Sequence, residues 1–132
     1  MAYERSGPER FLSTFPLLAE VAEQTRLGAV PRQADLGRYV ARLAGLHGMS
    51  LAVAGALERG EPAGTAAALG KLLGTTTEGD IADFADLLTE PSSPPELRRL
   101  VADAVVQRPG FTLRGGTNEV LRGVVARGLG MR

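Results

Sequence analysis

The chain has 132 residues, 44% of them hydrophobic, with 15 basic and 15 acidic residues and so no formal net charge. That length carries one domain with a modest core, and the balanced charge removes any general pull toward nucleic acid or an anionic membrane surface. The absence of cysteine excludes disulfides, thiolate metal sites and a cysteine nucleophile.

Taken in chain order, the pattern is helical almost throughout. Near the start, "YERSGPERF" places Ser6 and Glu9 at capping-box spacing with Pro8 in the first turn, which predicts a helix start. Phe11, Phe15, Leu18, Ala22 and Thr25 then fall on one stripe. "LGAVPRQAD" breaks the pattern, and Asp35 is the expected N-cap of the next helix. Leu36, Tyr39, Leu43, Leu46, Ser50, Val53 and Leu57 form the second and longest stripe. After "RGEPAGT" comes a third stripe of Leu69, Leu73, Thr77, Ile81, Phe84 and Leu88. The run Thr75-Thr76-Thr77 with Gly79 lowers helix propensity there, consistent with a kink or a ligand-facing surface. Pro91, Pro94 and Pro95 end this helix. Leu97, Leu100, Val101, Ala104 and Val105 make a fourth stripe, and "RPGFTLRGG" is read as the connection to a short fifth one, Val120, Leu121, Val124 and Val125. No segment alternates long enough to be a strand. Short connections between amphipathic helices predict an all-α fold, an up-and-down four-helix bundle with a short extra C-terminal helix, as one domain over residues 1–132.

Most candidate chemistry has a plain structural reading. Lys71 is the sole lysine among the 15 basic residues, which is read as codon bias. His47, the sole histidine, is read as a helix-face residue. The near-apolar stretch Leu43 to Leu57 is short for a bilayer span and is interrupted by His47 and Ser50; with no export pattern at the start, the expectation is a soluble cytoplasmic protein without membrane or nucleic-acid partners. "GTAAALGKLL" fails as a phosphate loop, because its glycines are one position too far apart and Leu72 stands where a hydroxyl should hold magnesium. Asp83 and Asp86 are a solvated helix face. Capping explains Glu9 but not Glu4, which stays free for chemistry. Thr117 is a natural N-cap and Glu119 suits the positive end of a helix dipole. Capping does not say why both Gly115 and Gly116 precede them. The backbone there either needs unusual dihedrals or must be approached closely, and a helix N-terminus behind a glycine turn suits a phosphate or a polar ring edge.

"GGTNEVLRGVVARGLG" resembles the signature that closes the acyl-CoA dehydrogenase family, a Gly-Thr-(Ser/Asn)-Glu turn, a helix and an Ala-Arg-x-Leu-Gly tail. "MAYERSGPERF", "TRLGAVPRQADLGRYVARLAGL" and "LGKLLG" resemble, more loosely, the first three helices of the same C-terminal domain, so the resemblance covers nearly the whole chain. It implies FAD-dependent chemistry on the CH–CH bond of an acyl thioester such as acyl-CoA, with a carboxylate taking the α proton and flavin taking the β hydrogen. Carried over by position, Gly115 and Gly116 line the thioester and ring-edge region, Thr117, Asn118 and Glu119 touch FAD, and Arg26 reaches the FAD diphosphate of a neighbouring subunit. Gly115 occupies the usual place of the catalytic glutamate. In a subset of the family the base sits in a Glu-Arg pair on the first helix, which Glu4-Arg5 matches best and Glu9-Arg10 second. Ala29 replaces the family phenylalanine after the FAD arginine, and Leu87 and Glu90-Pro91 fall where other flavin contacts stand. The resemblance also implies a homo-oligomer, or a partner chain supplying the family's N-terminal helical and central β domains. The alternative is a catalytically degenerate bundle serving in oligomerisation or binding. No metal ligand set is expected.

Overall fold

The computed structural model describes residues 9–31 and 34–131. Among these it contains six helices and no strand: α1 Glu9–Leu12, α2 Phe15–Arg26, α3 Ala34–Glu58, α4 Gly64–Leu88, α5 Pro95–Phe111 and α6 Asn118–Gly128. The all-α expectation holds, with α2 to α5 as the bundle and α6 as the extra helix. Glu4 and Ser6 lie outside the described residues.

Side-chain pairing fixes the helix directions. Along α3 and α4, Arg42 meets Asp80, Met49 lies beside Gly70, and Val53 clusters with Ala67, so the two run antiparallel. Along α4 and α6, Lys71 meets Asn118 while Thr65 meets Gly128, again antiparallel. The main core joins α2 (Leu18, Val21), α3 (Leu43, Leu46), α4 (Ile81, Ala82, Ala85) and α5 (Leu97, Val101, Ala104). A smaller cluster of Ala68, Leu121 and Val125 seats α6 on α4. Helix α4 is central, packing on α1, α2, α3, α5 and α6. Small residues on its buried face, among them Ala67, Ala68, Gly74, Gly79, Ala82 and Ala85, permit so many close neighbours.

Several sequence expectations need correction. The first stripe is not one helix: the chain turns at Ser13–Thr14, and α2 restarts with Pro16 in its first turn. The restart shifts the buried set to Leu17, Leu18 and Val21 and leaves Phe15 exposed. Asp35 is not the N-cap of α3; it lies in the first turn and pairs with Arg38 at 2.9 Å. The segment read as a connection after Gln107 is partly helix. α5 runs through Pro109 to Phe111, whose ring is buried. Pro109 removes the amide that would bond Val105 four residues back, but Val105 is exposed, so water can satisfy its carbonyl. The threonine run breaks nothing. Thr75 and Thr76 turn their hydroxyls back onto the Lys71 and Leu72 carbonyls at 2.9 and 2.8 Å, and α4 stays continuous.

By length and composition alone, α3 is long and apolar enough to cross a membrane, because the helix around the apolar stretch runs from Asp35 to Glu58. Only 17% of its most apolar window is buried.

Candidate functional site

The two glycines before α6 take left-handed backbone angles, Gly115 with φ 65° and Gly116 with φ 100°. A Cβ on Gly116 would meet Leu121 at 3.8 Å, an ordinary contact, so the dihedral rather than crowding requires glycine there. Thr117 is extended (φ −67°, ψ 152°) and caps α6 by accepting a hydrogen bond from the Val120 N–H at 3.4 Å. The Asn118 N–H is used up by the Thr112 carbonyl at 3.2 Å. Among the described residues, no acceptor meets the N–H of Gly115, Gly116 or Thr117. Three successive donors without an acceptor among the described residues therefore lie at the positive end of an eleven-residue helix.

Glu119 lies in the first turn, exposed. Its carboxyl is held below its ordinary range chiefly by its own backbone N–H and next by the Thr117 side chain, with smaller contributions from the charges of Arg122 and Lys71. Asn118 is buried and points its amide at α4: Oδ1 accepts from Lys71 Nζ at 3.2 Å and lies 3.0 Å from the Thr75 hydroxyl, while Nδ2 donates to Thr76 Oγ1 at 3.5 Å. Asn118 therefore has both its side chain and its N–H engaged within the protein.

The inner wall of the turn is polar. Lys71, fully buried, donates from Nζ to the Gly116 carbonyl at 2.6 Å. Two helical turns along the same face of α4, Glu78 is also fully buried. It accepts from the Ser13 N–H at 3.0 Å and from Arg114 Nη2 at 3.4 Å, and Arg114 also donates to Ser13 Oγ at 3.2 Å. The Arg114 guanidinium lies 5.5 Å from the centre of the Phe111 ring. Glu78 thus grips the residue before the glycine pair, and Lys71 grips the residue that ends it.

Gly115 through Glu119 form one continuous edge. Arg26 does not join it. It is exposed in the last turn of α2, and Glu23 holds its guanidinium in a two-pronged pair at 2.6 and 2.8 Å. Leu87 and Glu90-Pro91 are exposed at the far end of α4 and just beyond it. His47 is exposed on α3, as expected of a helix-face residue, and lines an apolar cleft with Phe11, Phe15, Leu18, Val40 and Leu43. Among the described residues no group of His, Asp and Glu could hold a metal.

Sequence reasoning missed Lys71, Thr75, Glu78 and Arg114. Of the third stripe, Thr77 and Ile81 are buried and Leu69, Phe84 and Leu88 pack half-buried against the core, while Leu73 is exposed; the buried face of α4 also takes in Lys71, Thr75, Glu78, Ala82 and Ala85. One signal was available: a lone lysine in a chain that otherwise uses arginine.

The family model described as "Acyl-CoA dehydrogenase, C-terminal domain" matches residues 31–130, well over half of the chain. No curated protein matches it.

Proposed function

The chain belongs to the family of acyl-CoA dehydrogenase C-terminal domains, and from that premise we propose that it forms part of an FAD-dependent oxidoreductase acting on the CH–CH bond of an acyl thioester. The observation that supports this most is the edge at Gly115–Thr117, where three backbone donors and a helix N-terminus meet with no acceptor among the described residues. That donor set fits the polar edge of a flavin or the carbonyl of a thioester. FAD supplies the redox chemistry when bound. Gly115 and Gly116 orient the thioester and ring edge through their amides, Thr117 and Glu119 support the cofactor, and Asn118 holds that edge against α4 through its buried side chain. Arg26 meets the diphosphate held by a neighbouring subunit, exchanging Glu23 for it. In this reading Glu4 removes the α proton, since Gly115 stands where the family's usual base would be. Acyl-CoA, the remaining family domains and a cytoplasmic setting belong to the same proposal.

Flavin absorbance of the purified chain, alone and assembled with N-terminal and β domains of the family, tests it. A bound flavin band is expected in the assembly. Glu4→Gln should then lower turnover by about 10²–10⁴-fold and leave flavin bound. A colourless, inactive assembly would overturn the reading.

The second reading, a docking or oligomerisation module without catalysis, draws on α3, whose apolar length is mostly uncovered. It gains if the chain self-associates in sedimentation and binds no flavin.

A further inference from the structure

Two adjacent glycines cannot hold one conformation by themselves. Each samples left- and right-handed backbone angles with little penalty, so the pair by itself does not set where its carbonyls point. A turn that presents amides to a ligand needs an outside restraint, and the seam on α4 contains one. Lys71 Nζ meets the Gly116 carbonyl at 2.6 Å from a fully buried position. The described residues contain no cis peptide bond. In a trans peptide the C=O and the following N–H point in opposite directions. Drawing the Gly116 carbonyl in toward α4 therefore turns the Thr117 N–H out.

We propose that Lys71 is the positioning residue of this turn, fixing the Gly116–Thr117 peptide so that its amide faces the ligand side. The ligand side is the one assigned under the proposed function, and the inference rests on that reading. The residue type supports the role. Nζ carries rotatable donors on a compact head and serves two acceptors at once, the Gly116 carbonyl and Asn118 Oδ1 at 3.2 Å. A planar guanidinium brings five donors in a fixed fork, too many for this buried point. The chain uses arginine at all its other basic positions and lysine here, so a requirement of the site explains the choice better than codon bias.

Because no other lysine exists, the test is clean. In the folded full chain, Lys71 should resist an amine-acetylating reagent that modifies it readily in denaturant; acetylation at the rate of an exposed lysine would overturn the proposal. In Lys71→Met, circular dichroism should keep its helical signal, while the amide resonances of Gly115, Gly116 and Thr117 shift or broaden. FAD, titrated as the probe, should bind about tenfold or more weakly, the worth of one charge-assisted hydrogen bond. Unchanged turn resonances, or unchanged FAD affinity, would sink the idea. Asn118→Ala covers the case in which Lys71→Met fails to fold, since it leaves the Gly116 contact in place. It should keep the turn resonances and the resistance to acetylation close to those of the unaltered chain. Release of the turn in Asn118→Ala, with the Lys71 contact to Gly116 still in place, would show that the cap network, not Lys71, sets it. If the unaltered chain and its assembly bind no FAD, the flavin reading fails, and a turn released only by Lys71→Met still supports the positioning role.

Discussion

Helices α3 and α4 have the same length, 25 residues, and lie antiparallel against each other, yet they are treated in opposite ways. α3 has the longer uncharged run, with no charge between Arg42 and Glu58, but it buries only Leu43, Leu46 and Val53 as large side chains. α4 carries threonines, a lysine and a glutamate, and it is the centre of the molecule. The longer uncharged run therefore did not decide which helix went inside. Side-chain size and hydrogen-bond partners did: a face of alanine and glycine lets five neighbours come close, and the buried Lys71, Thr75 and Glu78 on it each meet a partner.

The sharpest test of that contrast is a pair of truncations. Ile81→Ala empties a fully buried position on α4 and should cost about 2–5 kcal/mol in denaturant unfolding, the usual range for such a cavity. Leu51→Ala on α3 removes a side chain that is 61% exposed and should stay within about 0.5 kcal/mol. Equal losses would mean that α3 is covered in solution by something that shields Leu51.

The α4–α6 contact gives the next largest effect. A Cβ on Gly128 would fall 2.2 Å from Thr65 Oγ1 and 2.9 Å from its Cβ, so α6 must move away from α4 to admit it. Gly128→Ala should destabilise by about 1–3 kcal/mol, measured by thermal melting, despite the better helix propensity of alanine. A neutral result would show that α6 is looser on α4 than drawn.

Thr14 turns the comparison around. Its hydroxyl is fully buried at the start of α2 without a hydrogen-bond partner among the described residues, unlike Lys71, Thr75 and Glu78 of α4. Thr14→Val should be neutral or stabilising by up to about 1 kcal/mol, because a desolvated, unbonded hydroxyl is replaced by a methyl of similar shape. A clear loss of stability would mean that the hydroxyl does bond in solution.

The smallest effect concerns acid. Glu119 has its carboxyl below the ordinary 4.5, chiefly through its own backbone N–H and then Thr117. Its contribution is therefore complete above that ordinary value and is lost as pH falls through the lower folded value. Melting temperature followed from about pH 6 to pH 3 should fall less steeply at the acid end in Glu119→Gln.

Much of the outer architecture was legible. Prolines at 91, 94 and 95 marked the end of α4, the stripe through Leu43, Leu46 and Val53 named the buried face of α3, and Thr117 was found as a cap. These are local signals. The inner wall of the candidate site was not legible, since its contacts join residues far apart in the chain: Lys71 to Gly116 over 45 positions and Glu78 to Ser13 over 65. Periodicity marks an apolar face, but it says nothing about a polar residue whose partner arrives from another element. The glycine pair stood between these cases. Its need for unusual angles was readable, whereas the lysine that restrains it was not.

The distance across that seam also bears on how the chain is made. α4 leaves the ribosome well before Asn118 does, so during synthesis Lys71 and Glu78 spend time without the C-terminal partners they meet in the finished fold. Through that interval their charges keep the nascent helix hydrated rather than sticky, and closure of the polar seam becomes a late step of assembly. A chain halted before residue 112 should therefore remain soluble but melt less cooperatively than the whole, the central helix waiting on its last strap.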